Sequence, residues 1–344
     1  MKLIKTTEAV GTVLCHDITR IIPGVEKGPV FKKGHIVRQE DIPVLLSVGK
    51  ENLYVWEKQE GILHENEAAA ILRDICIKGS KDFVCSDPSE GKIEIRAGIS
   101  GLLKINKNAL NAVNSIGEMM IATIHGNFPV KEGEKLAATR IIPLVIPEEK
   151  MERAVKAAGD EPVLSILPFK SYKAGIVTTG SEVFKGRIKD AFGPVLRAKL
   201  SEYDIPCEKQ TFVPDDKEQI VSAILRHIEE GADLILVSGG MSVDPDDKTP
   251  GAIKDTGAKV VTYGAPVLPG AMFLLAYFNA DGKQIPIIGL PGCVMYAKRT
   301  IFDLVLCRVL AGEILSASDI SMLGEGGLCL SCEKCTFPHC GFGK

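Results

Sequence analysis

No stretch of this sequence is apolar for long enough to cross a bilayer; the longest, such as Ala271 to Phe278, fall well short of the ~20 residues needed. The opening MKLIKTTEAVGT has no apolar run of the kind an export signal carries, so a cytoplasmic chain with no membrane partner is expected. Net charge is lacking too: 41 basic against 44 acidic residues leave −3, and no global field draws nucleic acid or an anionic membrane. Any polyanion must be held locally. G-x-G-x-x-G and G-x-x-x-x-G-K-[ST] are both absent, so dinucleotide and Walker-type sites lack their fingerprints. There is no internal repeat, and the 34 glycines and 19 prolines are scattered, which excludes collagen-like and disordered classes.

What remains is an ordinary globular composition, 45% hydrophobic and 25% charged, over 344 residues, enough chain for two or three domains. Residues 1–160 read as a β-rich region with short helices. Pro29 to Val37 and Asn52 to Trp56 suggest strands, with Gly24, Gly28, Gly34 and Gly49 as punctuation. Ala68, Ile71, Leu72 and Ile75 recur at helical spacing within Glu65 to Lys78. A β-rich stretch follows from Lys92 to Ile146, and Met151 to Ala158 look like a connecting helix.

Over 161–316 strand-like and helical runs alternate, which predicts β-α-β units and an α/β fold with a mainly parallel sheet. The strands are expected at Ala174 to Val177, Glu208 to Phe212, Leu234 to Val237, Lys259 to Tyr263 and Ile285 to Ile288. Phe192, Leu196, Leu200 and Tyr203 make one helical stripe. Asp215 is placed to cap another helix, with Glu218 in the capping-box position. Met272 to Phe278 and Ile285 to Ile288 are expected to pair as a hairpin, and the last helix to run over about Val294 to Leu310.

Ligands of open α/β sheets sit beyond the carboxyl ends of the strands, where helix N-termini present unpaired N–H groups. Three predicted ends carry turns suited to an anion: Thr178-Thr179-Gly180-Ser181-Glu182, Ser238-Gly239-Gly240-Met241-Ser242, and Gly289-Leu290-Pro291-Gly292. Each taken singly also reads as a tight strand-to-helix turn. Asp244, Asp246 and Asp247 follow the second turn, and hard oxygen ligands beside a phosphate suit Mg²⁺. The other use of that loop is solvated, with Asp247 or Thr249 capping the helix before Pro250; Glu182 is either a metal or polar ligand or a first-turn carboxylate favoured by the helix dipole.

These runs carry a resemblance. TTGSEV, SGGMSVDPDDKTPGAI, APVLPGAMFLLAYF and GLPGCVMYAKRTIFDLVLCRVLAGE, over roughly Ser171 to Gly312, are similar in order and spacing to the molybdopterin-binding domain shared by molybdopterin molybdenumtransferases, molybdopterin adenylyltransferases and competence-damage-type proteins. The resemblance implies a three-layer α/β domain that binds the phosphate and dithiolene of molybdopterin, often adenylylated and with Mg²⁺, in a homo-oligomer. By motif it places Thr179, Gly180 and Glu182 in one turn, Gly239, Gly240, Ser242 and Asp244 in a second, Pro269 and Gly270 in a P-G turn, and Pro291 and Gly292 in the last. The segment from Pro29 to Glu57 also looks like one near the transferase N-terminus.

Two departures weigh against the transferase branch. Leu268 and Ala271 flank the P-G turn where transferases usually carry lysines, and no M-D-G-Y-A core occurs in residues 1–160. Three functions follow from the resemblance: molybdate insertion into adenylylated molybdopterin with AMP release, catalysed by Glu182 and Asp244; a non-catalytic carrier, insertion chaperone or sensor serving a molybdenum enzyme; and adenylyl transfer to molybdopterin.

The short tail, 317–344, holds four of the ten cysteines. Cys329, Cys332, Cys335 and Cys340, spaced C-x2-C-x2-C-x4-C, suggest Zn²⁺ or an iron–sulfur cluster, with His339 as a substitute ligand; a loose reduced tail or soft contact with a molybdenum centre are the alternatives. Cys293, at the last turn, is read as packing, and His16, His35, His64, His125 and His227 receive no catalytic role.

Overall fold

The computed structural model describes residues 2–22, 26–55, 60–207, 209–242, 244 and 247–344. Gly24, Trp56, Glu208 and Asp246 therefore lie outside the described residues. The chain forms two compact units: residues 1–99, 105–124 and 132–165 in the first, and 100–104, 125–131 and 166–344 in the second. The β-rich stretch expected over 92–146 is thus shared out. Its segment Phe128–Val130 pairs antiparallel with Gly101–Ile105, opposing Leu103, Leu102 and Gly101 in the second unit.

In the first unit the strands Phe83–Cys85, Lys92–Ala97, Lys135–Ile141 and Met119–Thr123 form an antiparallel sheet in that order. The sheet's Ile93, Ile95 and Ala97 are buried, alternating with outward residues. The helix Glu65–Ile77 runs close to the expected span and starts on His64, whose ring nitrogen accepts the Asn66 N–H while Glu67 reaches back to the His64 N–H. A helix the apolar pattern did not announce, Lys107–Asn114, is capped by Asn106, which accepts from Ala109 N–H.

The second unit is built on a six-stranded sheet. Its strands are β1 (Ala174–Thr179), β2 (Lys209–Val213), β3 (Leu234–Ser238), β4 (Lys259–Tyr263), β5 (Leu274–Ala280) and β6 (Lys283–Leu290). The order is β2-β1-β3-β6-β5-β4, with β1, β2, β3 and β6 mutually parallel and β5 antiparallel to both neighbours. Every residue of β1 and of β3 is buried, as befits inner strands covered on both faces. Ile176, Leu236 and Ile288 face helices α1 (Phe192–Ser201) and α4 (Ile301–Leu310) on one side. Val177, Val237 and Ile287 face α2 (Lys217–Glu229) and α3 (Thr249–Asp255) on the other, giving three layers.

Two expected helix starts move. The cap of α2 is Asp216, which accepts from Gln219 N–H, and Asp215 is left for another task. The last helix begins at Ile301 rather than Val294, because Thr300 and Asp303 form a capping box there, and Gly292–Met295 make a separate 3₁₀ turn. Helix α3 begins at Thr249 after Lys248, without a side-chain cap from Asp247 or Thr249. No helix among the described residues is long and apolar enough to cross a membrane.

Candidate functional site

Because β1, β3 and β6 are adjacent and parallel, the turns that leave them emerge on one edge of the sheet, with Thr178 level with Ser238 and Ser238 level with Leu290. The first two turns close around a cavity of about 460 Å³ whose walls include Thr179, Gly180, Glu182, Lys189, Asp215, Gly239, Gly240, Asp244 and Asp247. The second turn is packed so tightly that only glycine fits. Gly239 has φ +91°, and a side chain there would run into the Thr179 carbonyl.

The hydroxyls in these turns divide. Thr178 and Ser238 are fully buried and pair with each other at 3.2 Å, and Gln210 Nε2 donates to Thr178 at 2.9 Å. Their hydroxyls tie β1 to β3, and neither residue is on the wall of this cavity. Thr179 is on the cavity wall but its Oγ1 lies 3.2 Å from Thr249 Oγ1, which itself donates to Gly239 O at 2.8 Å. The Ser181 N–H is also occupied, donating to Asp215 Oδ2 at 2.8 Å. Ser242 is exposed, and its carbonyl accepts from Tyr263 O–H at 3.2 Å.

The charge of the cavity wall is negative. Glu182, Asp215, Asp244 and Asp247 stand against Lys189 alone among its charged described residues. Asp247 Oδ2 accepts the Asp244 N–H at 3.2 Å, and the Asp244 carbonyl accepts the Asp247 N–H at 2.9 Å, which curls the acidic loop onto the rim. Such a wall opposes a phosphate unless a cation accompanies it. One or two carboxylates with phosphate oxygens are an ordinary Mg²⁺ environment, so the donor set fits that ion.

The P-G turn goes elsewhere. Pro269 lines a second cavity, about 800 Å³, together with Tyr296, Lys298, Arg299 and the tail residues Cys329, Cys332, Cys335 and Cys340. The tail is folded onto this turn: Leu268 N–H donates to Gly327 O and Cys329 N–H to Leu268 O, each at 2.8 Å. Lys298 Nζ donates to Glu333 O at 2.7 Å, and the Arg299 guanidinium lies 5.0 Å from the centre of the Phe337 ring. The Gly343 N–H bonds to Gly326 O at 2.9 Å and closes the loop at its neck. All four thiols line one cavity, yet among the described residues no three His, Cys, Asp or Glu side chains converge as metal ligands. The tail is therefore not the loose segment considered from its sequence. Lys298 and Arg299, absent from the sequence-derived site, are the cations beside Pro269; their position just after the G-L-P-G turn was the available signal.

Gly270 has φ +130° and abuts Ile301, so it too is a position for glycine. Pro291 and Gly292 lie around neither cavity, but their turn leads into Met295, on the wall of the smaller one, and Tyr296, on the wall of the larger. Burial pushes the Cys293 thiol up, which agrees with packing and not with an activated nucleophile.

Comparison with known proteins bears on this half of the chain. Residues 175–311 match the profile of the "Probable molybdopterin binding domain" family, and residues 3–57 match a "Domain of unknown function", DUF8806. A CinA-like protein of Mycobacterium avium is 38% identical over 79 residues, covering 23% of this chain and 18% of that protein. A molybdopterin molybdenumtransferase of Synechococcus elongatus is 27% identical over 173 residues, covering 47% of this chain and 40% of that protein. The chain thus spans less than half the length of these curated relatives. Among solved structures, the tungsten cofactor synthesizing protein MoaB from Pyrococcus furiosus is 22% identical over 41% of this chain and 92% of that chain, with a TM-score of 0.35. Within the second unit, residues 175–311 are thus similar to the molybdopterin-binding domain family that the sequence resembled.

Proposed function

We propose that the protein takes part in molybdenum cofactor biosynthesis, holding molybdopterin, or its adenylylated form, with the phosphate end in the 460 Å³ cavity. The reading favoured is molybdenumtransferase-like: molybdate is inserted into adenylylated molybdopterin and AMP leaves. The observation that carries it is the joining of two glycine-lined turns with Glu182, Asp244 and Asp247 around one cavity. In this reading Asp244 or Asp247, with Glu182, would hold Mg²⁺, which would offset phosphate charge and polarise the bond to the leaving adenylate. Asp246 belongs to the same acidic loop as a third candidate ligand. A cytoplasmic homo-oligomer is part of this proposal, as is Zn²⁺ or an iron–sulfur cluster on the tail cysteines.

A specific observation favours the carrier as a second reading. Where transferase-type lysines would flank the P-G turn, Leu268 is instead stitched to the tail through Gly327 and Cys329. Incubation with adenylylated molybdopterin, Mg²⁺ and molybdate separates the two. Release of AMP supports the transferase; tight binding without release supports the carrier; and transfer of adenylate from ATP to molybdopterin supports the adenylyltransferase.

A further inference from the structure

The cavity of about 800 Å³ beside Pro269 is of a size that admits a small organic molecule, and its wall is chemically unlike that of the smaller one. It carries two cations, Lys298 and Arg299, against one acid, Glu333, together with all four tail thiols.

The two cations are not equivalent. Arg299 is compensated: its guanidinium donates to Glu202 at 2.8 Å and to Asp303 at 2.9 Å, and Asp303 also holds the buried Lys199 ammonium at 2.6 Å. Lys298 makes no ion pair among the described residues. Its ammonium donates to the Glu333 carbonyl at 2.7 Å, which sets a positive charge against the short segment between Cys332 and Cys335.

The thiols divide as well. Cys329 and Cys340 are half-buried and pack against the apolar core of the second unit, whereas Cys332 and Cys335 are exposed. None of the four makes a thiol hydrogen bond among the described residues, unlike Cys307, whose thiol donates to the Leu304 carbonyl at 3.5 Å. The chain bends at Glu333 and Lys334, so Cys332 and Cys335 stand on the two arms of one bend and line the same cavity.

That bend is anchored on both sides and free in the middle. Cys329 N–H is bonded to Leu268 O, and the Phe337 ring packs edge-on against Phe128 at 5.8 Å between centres. Residues 330–335 make no backbone–backbone hydrogen bond among the described residues, so joining two sulfurs across the bend breaks none. A structural metal centre asks for more ligands, and the described residues bring no three together. A disulfide needs two.

We propose that Cys332 and Cys335 are a reversible dithiol–disulfide pair, and that the cavity receives their redox partner, a small carboxylate-bearing disulfide of the glutathione class. Lys298 supplies the charge that favours such a partner over a neutral disulfide. In the first exchange one cysteine sulfur bonds to a sulfur of the disulfide, and one glutathione leaves as a thiol carrying the proton. In the second the other cysteine displaces the remaining glutathione from the mixed disulfide, again as a thiol. The protein loses two hydrogens and two electrons, and the disulfide is reduced to two thiols. Closure also removes two ligands from any metal the tail could hold, so oxidation and metal binding exclude each other.

The test is thiol mapping of the full-length protein, reduced, kept free of metal with a chelator and equilibrated without oxygen against glutathione disulfide. Trypsin cuts after Lys334, between the two cysteines, so the expected disulfide joins the peptides 309–334 and 335–344. Excess reduced glutathione should reopen it. Cys332→Ser and Cys335→Ser should each lose the link and keep a mixed disulfide with glutathione on the remaining cysteine. Lys298→Glu should slow oxidation by glutathione disulfide roughly tenfold and leave the rate with uncharged hydroxyethyl disulfide unchanged. Absence of a link under glutathione disulfide overturns the pair, as does a link through Cys329 or Cys340 that survives both serine variants. If Lys298→Glu, in protein whose melting temperature matches the parent, slows neither disulfide or slows both equally, the cavity is not where the partner binds.

Discussion

The carboxylate of Asp215 accepts the backbone N–H of Ser181 at 2.8 Å, across the mouth of the first glycine turn. That amide is the donor a phosphate would be expected to use at this corner, and here an acid already holds it. The turn is thereby fixed, at the expense of one more negative charge on a wall that already carries Glu182, Asp244 and Asp247. Asp215→Asn keeps an acceptor for Ser181 and removes the charge. AMP binding without Mg²⁺ should tighten by roughly fivefold, about 1 kcal/mol for one charge at partly screened range. Calorimetry in EDTA reads this directly, and unchanged affinity would show that the wall's charge does not oppose the ligand.

Asp244→Ala removes a carboxylate from the same wall, while both bonds that curl the loop, Asp244 N–H to Asp247 Oδ2 and Asp247 N–H to the Asp244 carbonyl, use the Asp244 backbone and remain available. If Asp244 holds Mg²⁺, AMP release in the assay should drop at least ~100-fold, the scale set by losing one strong electrostatic contact in the transition state. An unchanged rate would remove Asp244 from the mechanism and leave Asp247 and Glu182 as the acids to examine.

Much of this geometry was legible before the structure. The alternation of strand-like and helical runs over 174–310 specifies strands covered by helices, and glycine turns at strand ends specify one edge. What the pattern could not specify was which polar atoms are already taken. Thr178 and Ser238 look like ligand donors, but sitting level on neighbouring parallel strands they face each other inside the sheet. Asp215 and Asp216 are chemically equal as caps; the backbone of Asp216 alone has the geometry that reaches Gln219 N–H. The P-G turn was grouped with the other turns by motif order, yet Pro269 follows β4, at the far side of β5 from β6, and so opens into another cavity. The cap His64 of an otherwise expected helix, and the whole helix behind Asn106, went unread for a simpler reason. Histidine is an uncommon cap, and the helix behind Asn106 is short and amphipathic within a β-rich stretch.

The tail offers a metal prediction that needs no substrate. If Cys329, Cys332, Cys335 and Cys340 can close on one ion, Co²⁺ added to reduced protein should give the visible absorption of tetrahedral thiolate, displaced by Zn²⁺ at one equivalent. Cys332→Ser with Cys335→Ser, at exposed positions, should abolish the colour without loss of the fold. Iron with sulfide and a broad visible band in protein purified without oxygen would indicate a cluster instead. Failure to bind either would leave the loop as a strap held by its backbone bonds to Leu268.

The tail's root is tied by charge, and its acid sensitivity follows with a definite sign. Arg308, at the end of α4, donates to Asp319 Oδ1 at 2.8 Å and to Glu313 Oε2 at 2.6 Å, while Ser316 O–H and N–H both donate to Asp319 Oδ2. These bonds, working against burial, hold the Asp319 carboxyl down at about 2, below its ordinary value of 3.8. A carboxyl depressed in the folded state contributes stability that is complete above the unfolded value and is lost as pH falls from about 4 through about 2. Asp319→Asn removes that contribution at pH 7, at a cost of roughly 1–2 kcal/mol once solvent screening is allowed for. Urea unfolding at pH 7 should therefore show the variant less stable than the parent, and the gap should close as pH approaches 2, where the parent's Asp319 is itself protonated. Should the gap stay constant down to that pH, the loss lies in packing at the Ser316 turn and the ion pair with Arg308 contributes nothing measurable.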